Sequence, residues 1–200
     1  MKKTTLILFP ILLFSLASYA QLDKNTWLNS GALNFFSSKK DYTSYATPNT
    51  SGYSNDVNLT VSFSTGYFVT DKVAFGLKPY FSWAKSESFT NDPNSSGVSG
   101  STKRYGIGPF FRYYFLQKEK QFNILTDMSY QVGRWDSGGL IGPIKNFNIS
   151  AGPVIYFNSS VGMEFLLGYK SHLEVLKDYS KSVSKGLNLS IGFQIHLKKY

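Results

Sequence analysis

Apolar and polar residues alternate along most of this chain. Between Val57 and Val69 the odd positions read Val57, Leu59, Val61, Phe63, Thr65, Tyr67 and Val69, and the even positions Asn58, Thr60, Ser62, Ser64, Gly66 and Phe68. After Thr70-Asp71-Lys72 the alternation resumes as Val73, Phe75, Leu77, Pro79, Phe81 and Trp83 against Ala74, Gly76, Lys78, Tyr80, Ser82 and Ala84. A period of two puts apolar side chains on one face of a strand and polar ones on the other. Each arm exceeds the ~5–6 residues of an ordinary strand and is long enough to cross a bilayer at a tilt. Proline has no N–H to give to a ladder, so Pro79 predicts a local break there.

The same pattern predicts strands over 26–36, 102–115, 121–133, 145–157, 161–170 and 185–197. The first is the least regular, because Leu28, Ala32 and Phe36 fall on the face opposite Leu33 and Phe35. With the hairpin these make eight strands. Their connections alternate between long polar segments (37–56, 85–101, 134–144 and 171–184) and short turns (70–72, 116–120 and 158–160). Gly138-Gly139 and Gly142-Pro143 read as breakers within the third long loop. An even strand count with short turns at one rim and long loops at the other predicts an all-β fold, an eight-stranded antiparallel up-and-down transmembrane β-barrel. The long loops then lie outside the cell and both chain ends inside.

Alternation alone also fits a soluble, exported lipocalin-like barrel carrying an apolar ligand, whose apolar face points inward. Water-facing strands normally carry many Lys and Glu. Here the polar faces hold mostly Asn, Ser, Thr and Gly with isolated charges, which suits the crowded lumen of an eight-stranded barrel. Aromatic residues agree, falling at two levels. Tyr67, Phe75, Tyr113, Phe115, Phe122 and Phe157 lie near the short-turn rim, and Trp83, Tyr105, Tyr130 and Tyr169 near the long-loop rim. Rings at head-group depth on both sides of an aliphatic band are expected of a membrane barrel.

The first twenty residues change the picture of where the chain resides. Lys2 and Lys3 precede a short apolar run from Leu6 to Leu16, and Ser18-Tyr19-Ala20 offers a small-x-small cleavage site. Residues 1–20 are therefore expected to be a cleaved signal peptide, leaving 21–200 as the barrel domain. The run is too short to span a membrane as a helix. Without Lys2 and Lys3 the 21 basic residues fall to 19 against 12 acidic ones, net +7. An exported chain without a basic helix is not expected to bind nucleic acid, so anionic lipid head groups are the expected counter-charge. The absence of cysteine excludes a lipidated N-terminus, disulfides and thiolate chemistry.

The string Gly108-Pro109-Phe110-Phe111-Arg112-Tyr113-Tyr114-Phe115 is the most distinctive, with a reduced form at Gly152-Pro153-Val154-Ile155-Tyr156-Phe157 and a looser one at Lys78-Pro79-Tyr80-Phe81. Bulges or bends are expected at these prolines. Together with the signal peptide and the strand parity, the string resembles the outer-membrane β-barrel domain family common in Bacteroidota, of the OmpA/OmpX kind. The resemblance covers about residues 21–200. It implies an integral outer-membrane protein inserted by the usual assembly machinery, although the last residue in phase with the lipid face is Leu197 and Tyr200 is out of phase.

Four charges fall on the lumen face at similar heights: Lys78, Arg112, Asp127 and Glu164. They are expected to form an ion-pair network that fills the barrel, since buried charges must be paired. An ion path is the competing reading, and eight strands leave no open channel. The basic residues Lys39, Lys40, Lys85, Lys103, Arg134, Lys177 and Lys181 are candidates for contact with lipopolysaccharide phosphates. His172 and His196 do not cluster with other ligating residues, so no metal site and no cofactor are expected. Ser171, His172 and Glu174 superficially offer a hydrolase trio, as in membrane-embedded lipid hydrolases. Adjacent strand residues point to opposite faces, so Ser171 and His172 are not expected to meet. The expectation is a monomeric, non-enzymatic barrel with a structural or surface-binding role through four external loops. Its partners would be outer-membrane lipid and lipopolysaccharide, with an extracellular or periplasmic protein as a further candidate.

Overall fold

A computed structural model describes residues 22–44, 50–90, 97–117, 120–176 and 180–198; the signal segment 1–20 and Tyr200 lie outside the described residues. These residues form ten strands: β1 (Thr26–Ser44), β2 (Thr50–Thr70), β3 (Val73–Leu77), β4 (Tyr80–Thr90), β5 (Val98–Ile107), β6 (Pro109–Tyr114), β7 (Phe122–Ser137), β8 (Leu140–Tyr156), β9 (Val161–Leu176) and β10 (Ser180–Lys198). All pairings are antiparallel. β1 pairs with β2 on one side and with β10 on the other, from Thr26 opposite Lys198 to Leu33 opposite Ile191, so the sheet closes on itself.

The ten strands make eight walls, because two walls are each interrupted once. β3 and β4 both pair with β2, and β5 and β6 both pair with β7. The interruptions lie side by side, at Lys78-Pro79 and at Gly108. Phe63 N–H donates to the Pro79 carbonyl (3.0 Å), but Pro79 has no N–H to return. Lys78 N–H donates to the Gly108 carbonyl (2.8 Å), while the Lys78 carbonyl accepts from the Gln131 side-chain amide (2.8 Å). Register is kept across both interruptions, with Leu77 opposite Pro109 and Tyr80 opposite Gly106. Pro79 thus breaks the ladder without inserting a bulge. At Pro153 the strand runs on unbroken and only the rungs to β9 at Gly152 and Pro153 are missing, where a bend was expected. A register shift does occur at Val69, just before the β2–β3 turn.

The four long connections differ from the expected loops. β1 and β2 stay paired through Ser37 opposite Val57 to Ser44 opposite Thr50. β4 and β5 stay paired out to Ser88 opposite Val98, and β9 and β10 out to Leu176 opposite Ser180. β7 and β8 join at Gly138-Gly139, whose φ values of 59° and 87° make a two-residue turn of the kind that matches strand twist. Most of each supposed loop is therefore a ribbon projecting beyond the barrel. Apart from the buried Trp135 and Ile144, these segments carry mostly polar side chains on both faces, which weakens the alternation that marks a strand in sequence.

Side chains are sorted inside out relative to a water-soluble domain. The outward positions hold Phe35, Leu187 and Leu189, which are 68%, 79% and 67% exposed, together with Phe63, Phe75, Ile107, Val132 and Ile191. The inward positions hold Arg112, Asp127, Glu164, Gln194 and His196, all buried. Towards the short-turn end the lumen is filled by Leu22, Leu28, Phe68, Phe110, Tyr114, Leu125, Val154, Tyr156 and Leu166. Leu22 closes this plug from below, with its carbonyl accepting from Lys72 N–H (2.9 Å).

Candidate functional site

Above the apolar plug, strand pairing sets the ionic residues against one another. Arg112 on β6 lies directly opposite Asp127 on β7. Its Nε and Nη2 donate to Asp127 Oδ2 (3.1 and 3.0 Å), and Nη1 reaches Glu164 Oε2 on β9 (2.7 Å) and Gln194 Oε1 on β10 (3.1 Å). Tyr114 Oη donates to the same Gln194 oxygen (2.6 Å), and Gln194 Nε2 donates to Tyr156 Oη (3.3 Å). Lys78 Nζ, at the break in the third wall, meets Asp127 Oδ1 at 2.5 Å. The structure thus brings Lys78, Arg112, Asp127 and Glu164 into one network, with Arg112 only 1% exposed. The guanidinium fork satisfies two carboxylates and an amide at once, which a single ammonium could not do in this planar arrangement.

Above this network the lumen is lined by hydroxyls and amides around a cavity of about 90 Å³. Its walls include Ser62, Thr60, Ser129, Gln131, Asn148 and Lys170, and its floor is Arg112 and Glu164. Towards the hairpins sits a second ionic group. Arg104 Nε contacts Glu174 Oε1 at 2.5 Å, and His172 Nε2 lies 2.8 Å from the same oxygen. His172 Nδ1 meets the Asn146 side chain. Ser171 falls on the outward face, opposite Phe147 and Lys185, so it does not share a face with His172. Glu174 lies on the hairpin side of Tyr169 and Ser171, towards the end of β9. The His172 hydrogen bond, opposed by burial and helped by Arg104, holds its carboxyl down at about 2. His196 packs at the other end of the lumen, edge-on among the rings of Phe68, Tyr114 and Tyr156.

The outward basic residues form a second constellation. Lys85, Lys103, Arg134, Lys145 and Lys185 are all exposed. Each stands two positions beyond a large apolar or aromatic residue of its own face: Trp83, Tyr105, Val132, Phe147 and Leu187 respectively. Hydrogen-bond register places Arg134 beside Tyr105, and Lys145 beside Val132. The cations therefore step round the barrel along the upper edge of the apolar band. Lys85 also pairs with Glu87 at 2.5 Å. Lys39 and Lys181 stand on the projecting ribbons instead, Lys39 over the Tyr53 ring at 4.5 Å and 3.9 Å from Asp41. The side chain of Lys40 and all of Lys177 lie outside the described residues. Lys145 and Lys185, the first residues of the strands predicted over 145–157 and 185–197, join this edge as well.

No protein-family model and no curated protein matches this chain. Among the solved structures similar to it are two at low identity. One is Neisserial surface protein A, at 16% identity and a TM-score of 0.47, covering 86% of this chain and 97% of that one. The other is the N-terminal β-barrel domain of Pseudomonas aeruginosa OprF, at 14% identity and a TM-score of 0.38, covering 87% and 98%.

Proposed function

We propose that this chain is an integral barrel of the bacterial outer membrane, closed to through-flow, whose hairpin-side edge contacts phosphates of the surrounding lipopolysaccharide. The observation that carries this reading is the inverted sorting of side chains. A continuous ring of exposed Val, Leu, Ile and Phe far exceeds the few hundred Å² of apolar patch that a soluble monomer tolerates. The ionic residues that would keep a soluble barrel in solution are instead turned inward and paired. A lipocalin-like carrier would need an apolar cavity, whereas the cavity here is lined by hydroxyls, amides and charges.

The role that fits is structural and surface-binding rather than catalytic, because the one hydrolase-like trio is split between two faces. Closure of the sheet between β1 and β10, from Thr26 opposite Lys198 to Leu33 opposite Ile191, fits a monomer. At the band's edge the long stems of Lys103, Arg134 and Lys145 lie along apolar surface while their charged ends sit at head-group height. Phosphates at that height would receive charge-assisted hydrogen bonds of about 1.5–3 kcal/mol each before solvent screening.

Titration of the purified barrel with lipopolysaccharide carrying its lipid A phosphates, and with a dephosphorylated form, tests the contact. Binding is expected to weaken at least about tenfold on dephosphorylation, and by a similar factor in a Lys103→Gln, Arg134→Gln, Lys145→Gln triple variant. Equal affinity for both forms would overturn the phosphate contact. In planar bilayers the closed lumen is expected to give no discrete conductance steps.

A further inference from the structure

Among the described lumen cations, Lys170 is the one without a direct partner. Asp127 is held by Lys78 and Arg112, Glu164 by Arg112, and Glu174 by Arg104 and His172. Asp56, further towards the hairpins, accepts from the Ser54 and Ser86 hydroxyls. Lys170, on the cavity wall, has neither a hydrogen bond nor an ion pair among the described residues. Nearby polar atoms are also unmatched. Tyr80 is 8% exposed and Asn146 is 1% exposed; the Asn146 amide faces the Tyr80 hydroxyl oxygen, and the Tyr80 hydroxyl proton has no acceptor among the described residues. On the cavity wall, Asn188 Oδ1 is buried without a partner. Tyr80 and Lys170 both lie in the field of Arg104 and Glu174, which places them at one end of the cavity.

Buried polar groups without partners are uncommon, and a set of them facing one space calls for an occupant. Here the set facing the cavity is the Lys170 ammonium, the Tyr80 hydroxyl and the Asn188 amide, with further donors in Gln131 and the serine hydroxyls. Beside the cavity, Lys170 and Arg104 share the one carboxylate Glu174, so the local excess is positive. The apolar plug closes the space on the short-turn side, while the lumen-facing Ser86 and Ser184 are exposed at the hairpin end. We propose that the upper lumen is a binding site for a small oxyanion, a carboxylate or phosphate group entering from the hairpin side and held by Lys170, with the Tyr80 hydroxyl as second donor. The ion would complete hydrogen bonds that the fold leaves open, and the cavity has room for it together with bridging water.

The test uses the full barrel, folded in detergent, with inorganic phosphate and acetate as separate probes in a lysine-free, neutral buffer. Saturable binding of at least one probe by calorimetry is expected, with amide and side-chain NMR shifts concentrated at Tyr80, Asn146 and Lys170. Which probe binds assigns the group as phosphate or carboxylate. Lys170→Met is expected to weaken binding at least about tenfold, and Tyr80→Phe by roughly three- to tenfold. Lys185→Met, on the outer wall, is expected to leave it unchanged. Absence of saturable binding of both probes to the unmodified barrel would overturn the proposal. So would shifts confined to the outer lysines, or equal affinity in Lys170→Met.

Discussion

At the scale of the residue, Arg112 is the one side chain on which the lumen most depends. It neutralises Asp127 and Glu164 together, and Lys78 can replace it only at Asp127. Arg112→Met strands Glu164 as a buried, uncompensated charge, an expected loss of about 3–5 kcal/mol in urea unfolding from lipid or detergent. Adding Glu164→Gln removes the stranded charge and is expected to restore part of that loss. A double variant no more stable than the single one would show that the cost lies in lost packing. Glu174 makes a second test at this scale. Its carboxyl titrates at about 2 in the folded chain instead of the ordinary 4.5. A depressed carboxyl stabilises the fold fully above the unfolded value, and the contribution fades as pH falls from 4.5 through about 2. Carbon NMR of the Glu174 carboxyl should give that low midpoint, and Glu174→Gln should flatten the loss of thermal stability over the same window. A midpoint near 4.5 would remove Arg104 and His172 as its partners. The four network charges were legible in sequence, because strand phase and distance from the short turns fix height in a barrel wall. Lys170 and Tyr80 were not. Their common cavity depends on tilt and on distances across the lumen, which alternation along one strand does not encode.

At the scale of the element, the paired interruptions at Pro79 and Gly108 are the main irregularity. A Cβ on Gly108 would stand 1.8 Å from the Tyr130 carbonyl oxygen, so the two walls approach too closely there for any side chain. Gly108→Val is expected to destabilise the barrel by about 1–3 kcal/mol or more, as overpacking does, with backbone shifts at Tyr130 and Gln131. Pro79→Ala should act in the opposite direction, because the new N–H can return the bond to the Phe63 carbonyl. Its signature would be slowed amide exchange at position 79. Fast exchange there would mean that the break is set by Gly108 rather than by proline. The break at Pro79 could be read from the chemistry of proline. The neighbouring one at Gly108 adjoins Pro109, where a bulge or bend was also expected; that the two interruptions abut follows from the register across β3–β6 and β4–β5, which alternation does not encode. The ribbons beyond the band were misread as loops for a related reason. Residues such as Ser37, Ser54 and Ser86 keep ladder hydrogen bonds in segments that are mostly polar on both faces, so hydrophobic periodicity weakens while the strand continues.

At the scale of the whole molecule, small irregularities in the alternation acquire a common meaning. Leu28, Phe68, Phe110, Tyr114, Tyr156 and Leu166 spoil the polar faces of their strands in sequence, and in the barrel they meet as the plug. Apolar residues on both faces near the short turns therefore mark the closed end. The polar faces further along mark the open half. The charge step at the upper edge of the outer band gives the barrel an orientation, with the basic edge beside the projecting ribbons. Together these features make the outer band the surface that lipid must cover.

That claim is tested most directly by diluting the urea-unfolded chain, residues 21–200, into buffer with and without phospholipid vesicles and following heat-modifiable gel mobility. A compact, heat-modifiable, vesicle-bound species is expected only when lipid is present. Val61→Arg, placing a charge on the exposed face of β2, is expected to lower its stability by about 2–4 kcal/mol if it sits near mid-bilayer. A monomer that folds equally well in lipid-free buffer, with Val61→Arg indistinguishable from the unmodified chain, would contradict the account.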